Sequence, residues 1–421
     1  MKKRKKILLV LFVLVMSSSC DEDSYKNDIQ WPPAPHIPKI CAAWVERNSA
    51  SVFQLYVKMA TGDNLGTWTQ LGETSLNINV ANGANKPSIA QDANGNPYVA
   101  WSEKDKVYVK HWNADTNSWD LLGDVSGSFK ARLSSISSAV TIGEIEPSIS
   151  VGLDGTLGIA YVDNTSGASL LLVKKWTGTA WQDVGTLPLN IDPTRNASLP
   201  SLVVYSANLI YVAWQENNGT YNEVYVKKWD GTSWSRLPAT GSLNTIADHA
   251  YDPVIKVNAT GIPYVAFRQR NGGDDENYSV LVFQWNGSSG AWEQLGDRLP
   301  GDYSQCKNPS LAINLYGTLY TLHTSSSYDN LYTYTWNTDT NSWEGLGSGQ
   351  LNAKPVLNTS LAVSLPSTSN DTGTLFALWS ETDLSVWSVT VKYWDGSSWQ
   401  GGENLNFDTT KLAGSAVISA R

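Results

Sequence analysis

The stretch of side chains able to do chemistry that least follows the rest of the chain is Arg268-Gln269-Arg270-Asn271-Gly272-Gly273-Asp274-Asp275-Glu276-Asn277-Tyr278. Arg268 and Arg270, with Asp274 and Asp275 beside them, could grip an acidic or hydroxylated ligand bidentately. The same charges could equally pair with one another in solvent and contribute little. His249 and Tyr251, in Asp248-His249-Ala250-Tyr251, and Tyr303, in Asp302-Tyr303, join these candidates. Trp387 offers an indole that could stack on a sugar or a partner side chain, or simply pack locally. A second group is periodic: Glu46, Glu103, Asp163, Glu216 and Glu381 each stand two residues beyond an aromatic, with Gln269 and Ser325 at the two remaining places. Such a rim of acids could collect cations or hydroxyl donors. A carboxylate repeated in this way could also serve architecture, by accepting backbone N–H bonds from a neighbouring unit.

Signatures of catalysis are missing. The four His, at positions 36, 111, 249 and 323, show no metal-ligand spacing, so neither a metal nor a cofactor is expected. Gly-x-Ser-x-Gly and a phosphate-binding loop are absent. Two carboxylates for glycoside cleavage could still be brought together by folding from the many acids present. A disulfide between Cys41 and Cys306 is geometrically doubtful, and both are expected to be free.

These residues sit on a repeat. Pro87-Ser88-Ile89 recurs as Pro147-Ser148-Ile149, Pro200-Ser201-Leu202, Pro253-Val254-Ile255, Pro309-Ser310-Leu311 and Thr359-Ser360-Leu361, with a last copy at Gly414-Ser415-Ala416. An aromatic or His anchor follows fourteen residues after each Pro, at Trp101, Tyr161, Trp214, Phe267 and His323. Trp379 and Trp44 are its counterparts in the last and first units. A pair of Trp flanking a tight turn closes most units, as in Trp229-Asp230-Gly231-Thr232-Ser233-Trp234. Alternating runs such as Val107-Tyr108-Val109-Lys110 between Gly, Asn and Asp turns predict four short strands per unit. The first unit lacks its opening strand and the chain ends on a lone copy of it, which predicts a ring latched by its termini.

The repeats resemble those of seven-bladed β-propellers, and the turn Trp336-Asn337-Thr338-Asp339-Thr340-Asn341-Ser342-Trp343 is similar to that of kelch blades, although the kelch Gly-Gly is replaced by Trp-x-Glu. The resemblance implies an all-β fold over 37–421, with seven blades of four antiparallel strands. It carries no active site with it. The sialidase Asp-box and an arginine triad are not found. Spacings are constant across the first-to-second turns and variable across the loops on the opposite face, so recognition is expected on the variable face.

Composition agrees. Over 421 residues, 41% hydrophobic content with 19 Trp and 19 Tyr against 7 Phe excludes general disorder and argues against a helical bundle. Residues 1–19 form a signal peptide, with a basic start and an apolar stretch, Ile7 to Met16, too short to span a bilayer. Ser17-Ser18-Ser19-Cys20 resembles the lipobox of bacterial lipoproteins, which implies lipidation of Cys20 and anchorage to the outer membrane. The acidic run Asp21-Glu22-Asp23 is similar to a surface-export tag, and 20–36 read as a Pro-rich tether. Loss of the five leader cations would move the net charge from -9 to -14, a poor surface for nucleic acid. The expected function is a lipid-anchored, non-catalytic propeller that binds a glycan or an envelope protein. A glycoside-processing enzyme and a structural subunit of an envelope complex are the alternatives.

Overall fold

A computed structural model describes residues 37–421 apart from 63–64, 105, 123–128, 131–144, 165–166, 274–276, 300–305, 326–329, 348–350, 353, 368–370 and 383–385. Asp274, Asp275, Tyr303 and Cys20 therefore lie outside the described residues.

Val, Ile, Tyr and Trp alternate with polar residues in runs of seven to nine, the pattern of a pleated strand rather than a helix. The described residues contain no helix. Their strands form seven antiparallel sheets, the blades of a β-propeller, numbered I to VII in chain order. Blade IV is typical: Ala197–Ser206, Leu209–Asn217, Asn222–Trp229 and Trp234–Arg236 run from the inner to the outer edge. Blade II carries an additional short strand, Phe129–Lys130, paired with Lys106–Asn113.

Each sheet is apolar on both faces, so each must be covered twice. Seven apolar clusters result, one at every junction between neighbouring blades; Trp214, for example, packs at the junction of blades III and IV, and Phe267 at that of IV and V. Trp44, Trp101, Trp214 and Trp379 are the largest fully buried side chains. The outer Trp pairs face each other across the third and fourth strands, with ring centroids 5.3 Å apart for Trp112 and Trp119 and 5.7 Å for Trp229 and Trp234. In six blades the second Trp also donates its indole N–H to a carbonyl of the preceding blade, those of Leu71, Leu122, Val184, Leu237, Leu295 and Leu346.

The ring closes through Ala413–Ala420, which pairs antiparallel with Lys39–Arg47 and gives blade I its innermost strand. The register of this last copy differs from the expected one by two residues. The Ile418 N–H donates to Ser360 Oγ, as Ile149, Leu202, Ile255 and Leu361 do to Ser88, Ser148, Ser201 and Ser310 in their preceding blades. Ser415-Ala416-Val417 is thus the equivalent of Asn308-Pro309-Ser310, and the Ser of Gly414-Ser415-Ala416 only imitates the repeated one.

One glycine shows how tightly neighbouring blades approach. Gly185 has φ 66°, and a Cβ there would stand 2.5 Å from Trp229 in the next blade. Replacing Gly185 with Ala should destabilise the propeller by about 1–3 kcal/mol through overpacking and backbone strain. Urea unfolding followed by Trp fluorescence measures this, and an unchanged midpoint would contradict it.

Candidate functional site at the variable face

The five periodic acids occupy the ends of the second strands, but not as an open rim. Glu46, Glu103 and Glu216 are 1%, 2% and 3% exposed. Each carboxylate accepts the indole N–H of the anchor two residues earlier and two backbone N–H groups of the loop arriving from the preceding blade. For Glu216 the donors are Trp214, Ile191 and Asp192, at 2.7–2.9 Å. Glu103 takes Trp101, Ile78 and Asn79, and Glu46 takes Trp44, Phe407 and Asp408. Burial pushes the Glu216 carboxyl above its ordinary value, against the N–H groups and the Lys227 ammonium that favour its charge. Glu381 accepts from Trp379 Nε1 and Thr390 Oγ1, and Asp163 closes the second strand of blade III. In the blades where these contacts are seen the acids are architectural: of the two roles open to Glu46, Glu103 and Glu216 they fill that of the carboxylate accepting N–H bonds from a neighbouring unit, not that of an open rim collecting cations, because the loop that reaches the next blade brings N–H groups that need a buried acceptor.

A partner motif went unnoticed in the sequence. The Asn of Leu76-Asn77, Leu189-Asn190, Leu243-Asn244, Leu351-Asn352 and Leu405-Asn406 accepts a third-strand N–H and donates to loop carbonyls. Its five-fold recurrence was the available signal.

Blades V and VI depart from this scheme, with Phe267-Arg268-Gln269 and His323-Thr324-Ser325 in place of Trp-x-Glu. The face of blade V turned toward blade VI gathers four of the sequence candidates. Tyr251 and Arg268 are direct cross-strand partners, as are Arg270 and Tyr278. The Arg268 guanidinium lies 5.0 Å from the Tyr251 ring centre and 4.9 Å from that of Tyr278, held between two π faces. His249 stacks on Tyr251 at 5.4 Å with planes 3° apart, and accepts the Asn222 N–H on Nδ1. Arg270 Nε donates to Asp248 at 2.6 Å. Arg268 Nε is 2.5 Å from Asp252 Oδ2 but poorly aligned with it, an ion contact rather than a directed hydrogen bond. Among the described residues no hydrogen bond uses the Arg268 Nη groups, and the side chain is 21% exposed.

Trp387 lies elsewhere. It opens the third strand of blade VII and packs against Gly414 of the closing strand, so the local packing role is filled. The described residues hold no group of His, Cys, Asp or Glu able to bind a metal ion, and no helix long and apolar enough to cross a membrane. Cys41 and Cys306 are free and buried.

Beside the blade V cluster opens the central channel, a cavity of about 350 Å3 walled by the residues around each repeated Pro. Lys86, Leu199, Asp252, Asn308 and Ser415, in the place just before the Pro, all adopt left-handed backbone, φ 47–56°. Bulky residues rarely take that conformation, least of all before proline, and here it accompanies a bulge in the ladder. The bulge removes the side chain from the ladder and makes it part of the channel wall. Glu146 occupies the same place in blade III, where it pairs with Lys86 at 2.9 Å. Sequence reading passed over this ring because attention fell on the repeated Pro-Ser, while the variation lies one residue earlier.

No protein-family profile matches the chain, and no curated protein does. Solved structures do. A protein from Lactobacillus plantarum aligns with TM-score 0.56 and 14% identity over 92% of this chain and 100% of its own. More distant neighbours include two glycoside hydrolases. A Hadza microbial sialidase has TM-score 0.46 and 10% identity, covering 91% of this chain and 86% of its own. An α-L-arabinanase of Penicillium chrysogenum has 0.44 and 14%, covering 73% and 92%. At such identities the likeness is one of fold. The chain is therefore placed as a seven-bladed β-propeller, and its chemistry must come from its own residues.

The anchor of blade VI offers a test of how that blade holds together. His323 is fully buried, stacks on Tyr334 at 5.6 Å, and neither ring nitrogen has a hydrogen-bond partner. Burial lowers its pKa from 6.5 to about 4. Below pH 6.5 the unfolded chain therefore binds a proton that the folded chain refuses, and stability falls until pH 4, by about 3 kcal/mol in all. His323→Phe, which copies Phe267 of blade V, should remove that component. Thermal melts of both proteins between pH 7 and pH 4 measure it; parallel pH profiles would contradict it.

Proposed function

We propose that the chain is a lipid-anchored propeller of a bacterial outer surface that binds a ligand, without catalysis, on its variable face. The observation that carries this reading is Arg268. A partly exposed guanidinium clamped between Tyr251 and Tyr278, with both Nη groups unspent, is a preorganised donor beside aromatic faces. It suits ligand oxygens that come with apolar C–H faces, as on a glycan. His249 extends the aromatic surface, and Arg270, fixed on Asp248, stands across the ladder from Tyr278.

The path of the chain supports the orientation. Lys39 packs on Gly95 in the first-to-second turn of blade II, and its carbonyl accepts from Gln91. A tether leading back from residue 37 would thus leave from the constant face. An anchor at Cys20 would then turn the blade V cluster away from the membrane.

A protein ligand is the second reading. Ile78, Val80 and Phe407 stand 42%, 62% and 57% exposed in the loops that join blades I to II and VII to I, on the same face. In the channel, glycoside cleavage would fall to Glu146 and Asp252, the two carboxylates among the described residues of its wall. Each lies against a cation, not in the apolar setting that makes a carboxyl a general acid.

Arg268→Ala and Tyr251→Ala should each weaken binding of the retained ligand by about tenfold or more. Glycan arrays and pull-downs from solubilised envelope are the measurement, with unchanged melting temperatures as the folding control; retained binding in both variants would refute the site. Cys20→Ser should move the protein from the membrane fraction to the soluble one and abolish palmitate labelling, whereas continued labelling would refute the anchor.

A further inference from the structure

A second cavity, of about 360 Å3, lies between blades III and IV on the variable face. Its polar wall is Glu146, Asn164, Ser169 and Ser198, and its apolar wall includes Val162 and Leu199. Glu146 and Leu199 also line the central channel, so the two cavities share a wall. Glu146, Leu199 and Asp252 stand at equivalent places in blades III, IV and V, and Asp252 contacts Arg268. A continuous path thus runs from the side cavity, along three consecutive inner strands, to the cluster of Arg268, Tyr251 and Tyr278.

Charge along this path is balanced from within. Glu146 is met by Lys86, Asp252 by Arg268 and Asp248 by Arg270, each at 2.9 Å or less. An ionic ligand would have to break one of these pairs to gain a counter-charge. What the path offers instead is hydroxyls, amides and carboxylate oxygens on one side and Val, Leu and Tyr surfaces on the other. That combination matches a neutral, hydroxyl-rich ring with apolar C–H faces. The path crosses from blade III to blade V, so one ring cannot reach both ends.

We infer that the cavity between blades III and IV is a second subsite for a neutral oligosaccharide, whose other end lies on Tyr251, Tyr278 and Arg268. This rests on the binding role proposed above and adds to it the class of ligand and its extent. Glu146 and Asn164 take sugar hydroxyls, and Val162 and Leu199 take the C–H face of the ring. No bond is made or broken.

The test is calorimetric titration of the full chain with neutral linear glucan, xylan, mannan and arabinan fragments, from disaccharide to hexasaccharide. For the wild-type protein, affinity for one of these series should rise with chain length as the second subsite fills. Ser198→Leu, which fills the side cavity, should flatten that rise and lower hexasaccharide affinity about tenfold, with the disaccharide unaffected. Glu146→Gln, which keeps the shape of the side chain, should give a smaller loss of the same length-dependent kind. Melting temperatures confirm folding, and Glu146→Gln keeps the test valid if Ser198→Leu does not fold. Hexasaccharide binding unchanged in the folded variants would overturn the subsite and leave the blade V site standing. If no fragment binds the wild type while an envelope protein is retained and then lost with Arg268→Ala, the oligosaccharide inference falls and the binding face survives. Failure of Arg268→Ala to change any binding would remove the broader reading itself.

Discussion

A twisted four-stranded sheet that is apolar on both faces cannot stand at the end of a row. Every blade of this protein is such a sheet, and its seven apolar clusters each draw side chains from two neighbours. The row must therefore meet itself. Ala413–Ala420 meets this constraint by supplying blade I with an inner strand, and the junction of blades VII and I is closed by its hydrogen bonds to Ser360 and Asn358 and by burial of Ala416 and Ile418. Once the ring is closed the seven inner strands turn their free edges to a central channel, short and sheltered, whose wall is common to all blades.

Closure creates a polar problem that the repeat solves in the same way several times. Loops crossing to the next blade bring N–H groups against the packed junctions, and unsatisfied groups there would be expensive. The carboxylate two residues after the anchor collects two of them together with the anchor's own indole N–H. The Asn of Leu-Asn ties down the same loop from the other side, and Lys58, Lys110, Lys227 and Lys392 cap the Leu carbonyls of that motif. Burial lowers the pKa of Lys58, Lys110 and Lys227, which nonetheless stand near the carboxylates and above indole faces. Acids used in this way are spent on architecture. Blade V carries Gln269 in their place and blade VI carries Ser325, and it is on the face of blade V turned toward blade VI that a guanidinium is left with donors to spare.

Strand count, blade count and closure were legible in the sequence because they follow from spacing, and spacing survives substitution. The anchors show this: Trp, Tyr, Phe and His alternate at one place because the junction needs volume there more than a particular ring. Burial of Glu46, Glu103 and Glu216 was harder to read, since a carboxylate at the end of a strand looks the same whether it meets solvent or three N–H groups of another blade. The register of the last strand was misread because Ser415 and the repeated Ser are the same residue type two places apart; only the hydrogen bond of Ile418 to Ser360 separates them. Arg268 was visible as a candidate, but its partner acid was not. Asp252, sixteen residues upstream of Arg268, is brought to it by strand pairing, whereas Asp274 and Asp275 stand near it in the chain.

The channel wall separates scaffold from specificity within a single dipeptide. Four of the residues before the repeated Pro, and Ser415 at the same place before Ala416, share one left-handed conformation although they are Lys, Leu, Asp, Asn and Ser. Such a residue costs about 1–3 kcal/mol, less for Asp252 and Asn308, whose types tolerate it best, and none escapes it as glycine would. The conformation goes with the bulge in the ladder and not with the side chain that adopts it. Side chains at this place are consequently free to differ without altering the ring. They have diverged into an ion pair at Lys86 and Glu146, an apolar wall at Leu199 and an ion contact at Asp252, one kind of environment after another around the same channel. A ligand lying across blades III to V would meet these environments in sequence, which is how a rotationally regular frame can recognise something that has no such symmetry.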